Sequence, residues 1–331
     1  MNMRINVMES FNLRCVLATV AFVVLATAVQ AQPVQNQPAI EVQGAGTYSF
    51  GIGDTVVTAL SDGSVPLDLH KLLVRTTNAR TDALLRTGFQ ANPVEASINV
   101  FLFKISGRTV LVDTGSGDLF PKGLGGKLLE SLAAAGVRPE EITDVLITHA
   151  HGDHMGGLVR DGNMAFPNAT VHVAKADVDF FQDRSNSAKA HYGMNYFDDY
   201  FASLKRYVDA GKVKTFEGEA EIMPGVQAEV HPGHTPGSAF YTLQSKGESI
   251  VFVGDIFHVS SGQFTDPSIT ITYDVDPARL ASVRKKAFAD FSRDRTLIAV
   301  PHASFPGVGH VRRVSSGYEW APVFYGNRLV R

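Results

Sequence analysis

The chain has 331 residues, 44% of them hydrophobic, a formal net charge of −3 and a single cysteine. That is enough apolar material for one large α/β domain or two modest ones. A mildly acidic chain without a long basic run leaves no electrostatic footprint for nucleic acid or an anionic membrane, and one cysteine excludes a disulfide framework.

Arg4 and Arg14 flank the start of an apolar run from Cys15 to Val29, and Val29-Gln30-Ala31 resembles a small-residue cleavage site. Residues 1–31 therefore read as an export signal, and the product is expected in the periplasm or the medium. The run is shorter than the roughly 20 residues a membrane helix needs, so stable insertion is not expected. Cys15 precedes the run instead of closing it, which argues against lipid attachment there. Without this segment 28 basic and 32 acidic residues remain. Residues 32–43, polar and Pro-containing, read as a flexible leader, and 44–331 as one domain.

Tyr48 to Ser61 reads as a hairpin turning near Gly53-Asp54. Leu67 to Asn92, with Leu69, Leu72, Leu73, Leu84 and Leu85 among scattered charges, suits a loop and a short helix. Ile98 to Ile105 and Thr109 to Val112 form a second hairpin. Leu124 to Ala135 has helical spacing with Gly136 as its stop, and Asp144 to Thr148 is a buried strand. Thr170 to Val173 is another strand, followed by a helix carrying Phe180 and Phe181. Phe197 to Ala210 is an amphipathic helix closed by Gly211. Val226 to Val230, Ala239 to Leu243, Ser249 to Val253 and Thr296 to Val300 are strands, with a helix from Pro277 to Phe291 between the last two. Strand blocks alternating with helices in both halves predict an α/β fold of two packed mixed sheets with helices outside, an αββα sandwich.

The stretch Thr148-His149-Ala150-His151-Gly152-Asp153-His154 puts three imidazoles and a carboxylate directly after an apolar strand. His nitrogen and Asp oxygen suit zinc and neighbouring transition metals. Further groups of ligand type follow later strands: His234 in Pro232-Gly233-His234-Thr235-Pro236-Gly237, Asp255 after Ile250 to Gly254, and His302 after Leu297 to Pro301. Loops leaving strand ends let a rigid scaffold bring distant residues to one point, and seven such groups suffice for two metals.

In these motifs, H-x-H-x-D-H, then G-H-T-P-G, then a G-D carboxylate and a final histidine, the chain resembles the metallo-β-lactamase superfamily. The resemblance implies that His149, His151 and His234 bind one metal, that Asp153, His154 and His302 bind a second, and that Asp255 bridges them. Two divalent ions are implied, zinc first, with manganese, cobalt or iron also suited to the donors. Leu111-Val112-Asp113-Thr114-Gly115, Ala165-Phe166-Pro167-Asn168-Ala169, Lys285-Lys286-Ala287-Phe288-Ala289-Asp290 and Ser304-Phe305-Pro306-Gly307 are similar to the exported methyl parathion hydrolases and their lactonase relatives. Ser238 stands where the superfamily often has another histidine, and Leu72, His258 and Tyr273 depart from a dedicated organophosphate pocket. A homodimer is implied by resemblance alone.

Asp113 is a candidate for orienting a ligand histidine, or for capping its own turn. His258, three residues after Asp255, is a candidate donor to substrate. Phe120, Phe181 and Phe197, with Phe180, Tyr196 and Tyr273, are candidates for an aromatic pocket. His70, His172, His191, His231 and His310 lack spacing partners and read as structural or exposed.

Two cations about 3.5 to 4 Å apart share a water as hydroxide and clamp the displacement. Asp153 and Asp255 are candidates for relaying a proton to a leaving alkoxide. The expected activity is hydrolysis of small lactones or aryl esters, with phosphotriesters as a side or main substrate. The alternatives are a dedicated phosphotriesterase and, of another class, a non-catalytic metal-binding protein.

Overall fold

A computed structural model describes residues 44–190 and 195–327. The expected export signal and leader, and His191, lie outside the described residues. Residues from Gly44 onward form one compact unit.

Fourteen strands make two seven-stranded sheets. The first holds β1 (Thr47–Ile52), β2 (Thr55–Leu67), β3 (Val94–Ile105), β4 (Arg108–Val112), β5 (Asp144–Leu146), β6 (Thr170–Ala174) and β7 (Val213–Phe216) in that spatial order. The second holds β8 (Glu219–Met223), β9 (Val226–Val230), β10 (Ala239–Ser245), β11 (Glu248–Phe252), β12 (Leu297–Ala299), β13 (Val308–Val314) and β14 (Gly317–Pro322), also in spatial order. Each sheet begins as an antiparallel meander and then takes parallel steps, β4 to β5 to β6 to β7 in one and β11 to β12 in the other. Parallel steps need crossovers, which the intervening helices supply.

Strict alternation along β3 and β4 sorts their side chains between two cores. Phe101, Phe103, Val110 and Val112 face the second sheet and pack with Val226, Ala228, Tyr241, Leu243, Ile250 and Phe252. Val100, Leu102 and Leu111 face outward under Leu128, Leu132, Phe181, Phe197, Tyr200 and Tyr207 from the flanking helices. The outer face of the second sheet is covered by the helix Pro277–Asp294 through Ala287, Phe288 and Phe291. The architecture is the αββα sandwich that the alternation of strands and helices predicts. Tyr241 spans the layers, its buried hydroxyl 3.0 Å from the carbonyl of Ile147 and 3.2 Å from that of His172, so a polar group in the inter-sheet core is satisfied.

Several boundaries differ from the sequence reading for identifiable reasons. The helix expected from Leu124 begins at Leu128, because the buried Asp62 carboxylate collects the amides of Ser116, Gly126 and Leu128 and wraps the preceding residues around itself. The helix expected over 197–210 is two, Asn195–Ala202 and Leu204–Asp209. Between them Ser203 leaves helical geometry (φ −120°, ψ −84°), and its hydroxyl bonds back to the Asp199 carbonyl at 2.6 Å, competing with the helix ladder. The region around Leu72 contains a short turn, Leu69–Leu72, and a ten-residue helix, Asn78–Thr87, capped by the Thr77 hydroxyl. Strands β7, β8, β13 and β14 escaped the sequence reading. Three of them are sheet edges and the fourth is next to one, and half-solvated strands such as Glu219-Ala220-Glu221 carry charges that mask their period.

Candidate metal centre

Four of the loops that leave the strands converge at one end of the sandwich. The segment after β5 carries His149 to His154, the β9–β10 connection carries His234, the turn after β11 carries Asp255, and the turn after β12 carries His302. Carboxyl ends of parallel strands are where such folds present ligands. The backbone ties these loops directly: Ala239 N donates to Thr148 O at 2.9 Å. Gly254, at φ +51°, lies so close that a Cβ would sit 3.0 Å from that of Thr148, which accounts for glycine before Asp255.

Three donor groups form: His149 with His151, His234 and Asp255; Asp153 with His154 and His302; and Asp255 with His258 and His302. In the first, His149 Nε2 is 3.1 Å from His151 Nδ1, and Asp255 Oδ2 is 3.2 Å from His234 Nε2 and 3.6 Å from His149 Nε2. In the second, His302 Nε2 and His154 Nε2 lie 3.4 and 3.7 Å from Asp153 Oδ2. Asp255 Oδ1 faces this second group, 3.2 Å from His302 Nε2 and 3.3 Å from His154 Nε2. Ligand atoms about 2.1 Å from a tetrahedral zinc lie about 3.4 Å from each other, so these separations fit one cation in each of the first two groups with Asp255 between them.

The far sides of the rings support that fit. His154 Nδ1 is 2.8 Å from Asp113 Oδ2, His234 Nδ1 is 2.9 Å from Asp274 Oδ1, and His302 Nδ1 is 2.8 Å from the Ser97 carbonyl. Each acceptor takes the Nδ1 proton in a hydrogen bond, so Nε2 is the nitrogen turned inward toward a cation. His154 Nε2, His234 Nε2 and Asp255 Oδ1 are buried without a hydrogen-bond partner, as atoms awaiting a cation would be. His258 is different. Its Nε2 is 3.1 Å from Asp255 Oδ2, yet its buried Nδ1 has no acceptor, so the cheaper tautomer carries the proton on Nε2 and makes it a donor.

The charges agree. Burial, aided by neighbouring imidazoles, drives His149 and His151 well below the ordinary histidine range. Burial also lowers His258, and Asp255 opposes it without prevailing. At His154 burial is outweighed by Asp255, Asp153 and Asp113, which hold it well above that range. At His234 burial is outweighed by Asp255 and Asp274, which lift it to about 9, and His302 is raised by Asp255 and Asp153 in the same way. Burial opposes ionisation of Asp255, but the surrounding histidines, His302 first, keep it well below the usual carboxylate range. The carboxylates therefore demand positive charge, and cations binding here compete with protons for the same nitrogens.

Asp113 sits at φ +60°, takes the Thr148 amide and hydroxyl at 2.8 Å each, and meets His154 through the same carboxylate. Two further carboxylates act at this range and carried no sequence signal beyond a single Asp in an apolar setting. Asp274 backs His234. Asp177, fully buried, accepts from Ala150 N at 2.8 Å and Thr235 Oγ1 at 2.9 Å, and also from Gly237 N, so it staples the His149–His151 loop to the His234 turn.

Beside the donors lies a cavity of about 170 Å³ lined by Val65, Pro66, Leu67, Ala96, Phe120, Tyr196 and Tyr273, with His151, Asp153, Asp255, His258 and His302 at its base. A more open hollow of about 400 Å³, with Asp198 and Asp199, shares Phe120, Asp153 and Tyr196 with it. Of the residues read as pocket candidates, Phe120, Tyr196, His258 and Tyr273 line the cavity. Leu72, Phe180, Phe181 and Phe197 do not. Leu72 packs against the small core containing Leu67 and Leu69. Phe181 and Phe197 are fully buried against each other in the outer core, with the Phe181 ring 5.8 Å from His151. His172 pairs with Asp144, His70 with Asp82, His310 with the Thr296 carbonyl, and His231 lies against Glu229 and Phe240.

The comparisons with known proteins converge on the same fold. The crystal structure of hydrolase AbOPH in the beta lactamase superfamily superposes with a TM-score of 0.81 at 34% identity, covering 86% of this chain and 100% of that one. AidC, a dizinc quorum-quenching lactonase in complex with a product, N-hexanoyl-L-homoserine, superposes with a TM-score of 0.78 at 27% identity, covering 86% and 99%. An N-acyl homoserine lactonase of Bacillus cereus is 26% identical over 127 residues, 38% of this chain and 43% of that protein. Ribonuclease TTHA0252 of Thermus thermophilus is 28% identical over 178 residues, 53% of this chain and 38% of its own length. The chain thus matches less than half of the length of these two sequence relatives. The model of the metallo-beta-lactamase superfamily matches residues 94–302, which contain every donor described above, and the chain belongs to that superfamily.

Proposed function

We propose that the protein is a two-metal hydrolase that opens lactones or cleaves aryl esters, with phosphotriesters as secondary substrates. The observation that carries this reading is the pair of donor groups sharing Asp255 at the floor of a small, largely apolar cavity. The named N-acyl homoserine lactonases and the dizinc lactonase AidC support it.

Two divalent cations held by His149, His151, His234, Asp153, His154, His302 and Asp255 would supply water made nucleophilic near neutral pH and polarisation of the electrophile's oxygen. The remaining work falls to the chain. A cavity of about 170 Å³ compares with an apolar cavity of about 150 Å³ that accepts benzene, so it takes one ring-sized group. Val65, Leu67, Ala96 and Phe120 exclude water around that ring, and the adjoining hollow leaves room for a substituent. His258 lines the cavity with Nε2 3.1 Å from Asp255 Oδ2, and that nitrogen is the donor it would offer to oxygen that gains charge as the carbonyl is attacked. Asp153 is the most exposed of the carboxylates in the centre and is placed to return a proton to a leaving alkoxide.

The test is a comparison of kcat/KM for an N-acyl homoserine lactone, dihydrocoumarin, phenyl acetate and methyl parathion on metal-replete protein. A lactone or aryl ester should lead. No turnover of any of the four with two metals bound would sink the reading. A dedicated phosphotriesterase is the second reading, favoured by the aromatic side chains Phe120, Tyr196 and Tyr273, which suit an aryl leaving group. In a non-catalytic metal protein, His302→Ala would change metal content with no turnover to lose. Export of the chain and its assembly as a homodimer are part of the proposal, tested by N-terminal sequencing of secreted protein and by sedimentation.

A further inference from the structure

The segment from Asp255 to Asp274 bears on the centre at four points: the shared carboxylate, the His258 ring, the cavity side chain Tyr273, and the carboxylate behind His234. It contains only one helical turn, Ser260–Gln263, and a two-residue strand, Thr270–Ile271. A stretch with so little regular structure needs other means to hold two arms in register. Two fully buried polar side chains provide them. Gln263 Oε1 accepts from the amides of His258 at 2.8 Å and Val259 at 3.2 Å, and its Nε2 donates to the Ile269 carbonyl at 3.2 Å. Arg284, reaching in from the helix Pro277–Asp294, donates from Nε to the Ile256 carbonyl at 2.5 Å. Its Nη1 donates to the carbonyls of Ile269 at 2.6 Å and Pro267 at 3.1 Å.

Arg284 has no ion-pair partner among the described residues, and the charge that holds its guanidinium ionised against burial is that of Asp274. Burial pulls its guanidinium down to about 10, Asp274 opposing. An apolar side chain would fill the same space without desolvating a charge. What a guanidinium adds is a rigid fork that can gather several carbonyls at once. Those it gathers belong to Ile256, directly after Asp255, to Ile269, which Gln263 also binds, and to Pro267. Ile271, two positions further on, gives its amide to Asp274 Oδ2 at 3.0 Å, and Asp274 Oδ1 meets His234. One buried network thus runs from Asp255 and His258 through Arg284 and Gln263 to Asp274 and His234.

We propose that Arg284 and Gln263 are positioning residues for the metal centre, setting the spacing between the Asp255–His258 arm and the Ile269–Asp274 arm. The proposal rests on the reading of the centre as a two-metal site. Its test is titration of metal-free protein with Co²⁺, following the d–d absorption, with thermal unfolding and ester kinetics on the same samples. Wild type, Arg284→Met, Arg284→Lys and Gln263→Met are compared. The Met variants should bind cobalt about tenfold to a hundredfold more weakly with a shifted absorption envelope, and kcat should fall by a larger factor than KM rises. Arg284→Lys should recover part of both. Variants with lowered unfolding temperature but wild-type cobalt affinity and spectrum would overturn the proposal, leaving the two side chains as scaffold only. If Arg284→Met yields no folded protein, Gln263→Met decides by the same readings. Cobalt binding by wild type without turnover of any ester, lactone or triester defeats the hydrolase reading alone, because the spectra still decide the brace. Failure of wild type to take up cobalt overturns both.

Discussion

Asp274 Oδ1 lies 2.9 Å from His234 Nδ1, and its Oδ2 takes the Ile271 amide at 3.0 Å, so one buried carboxylate fixes both a ligand ring and the chain that carries it. Asp274→Ala removes the acceptor that keeps the proton on Nδ1. Outer partners of this kind are worth about tenfold to a hundredfold in metal affinity. The variant should lose that much at the His149, His151 and His234 group while the other group holds its metal, measured by competition with a chromophoric chelator. Equal loss at both groups would contradict the assignment.

Metal uptake should release protons. In the metal-free protein His154 is held well above the ordinary histidine range and His234 at about 9, so both carry protons at pH 7. A cation must displace them. Affinity should therefore fall as pH is lowered and level off only above about 9, where His234 is already neutral. Calorimetric titration with zinc in buffers of different ionisation enthalpy should show more than one proton released at pH 7; none released would refute the tautomer and charge assignments.

His258→Phe should separate donor from ligand. Loss of one hydrogen-bond donor to a developing oxyanion costs about a hundredfold or more in kcat. Because the His258 Nδ1 lacks the acceptor that backs three of the ligand rings, metal content should stay at the wild-type value. A variant that binds one metal fewer would make His258 a ligand instead.

Asp177 gives a pH signature of its own. Burial pushes its carboxyl up to about 6 despite bonds from Ala150, Thr235 and Gly237. A carboxyl raised in the folded state binds a proton that the unfolded chain has already lost. Its contribution to stability is therefore complete below about 4 and is lost as pH rises through about 6. Two pH units correspond to about 3 kcal/mol. Asp177→Asn places an amide donor against one of three donors, which costs about 1–3 kcal/mol at neutral pH. The difference between wild-type and variant unfolding free energies in urea should grow from pH 7 to pH 4.5, and a difference independent of pH would count against the buried carboxyl.

How much of this was legible in the sequence depends on the range over which each residue acts. The run His149 to His154 announces itself because its spacing is local, and His234, Asp255 and His302 can be read because each stands in the turn after a strand. Asp274 and Asp177 cannot, since their partners are 40 and 27 or more residues away and a lone Asp in an apolar stretch reads equally well as a turn or cap. Phe181 and Phe197 mark the same limit. Helical spacing shows that they are buried on one face, but only the packing shows that this face is the core behind His151 and not the cavity. Arg284 stood in a charged run, Arg284-Lys285-Lys286, where a solvated face was the ordinary expectation, yet it alone turns inward.

The walls of the cavity and its floor come from different parts of the chain. Val65 to Leu67, Ala96, Phe120 and Tyr196 stand on the far end of β2, the start of β3 and two helix-bearing excursions, whereas the donors stand on short turns at strand ends that are stapled from behind. Exchanging only the cavity-facing side chains Phe120 and Tyr196 therefore leaves the cation-binding turns and the core behind them in place. Such a division makes the metal-binding apparatus portable across substrates: variants changed at Phe120 or Tyr196 should retain two metals while changing which ring enters.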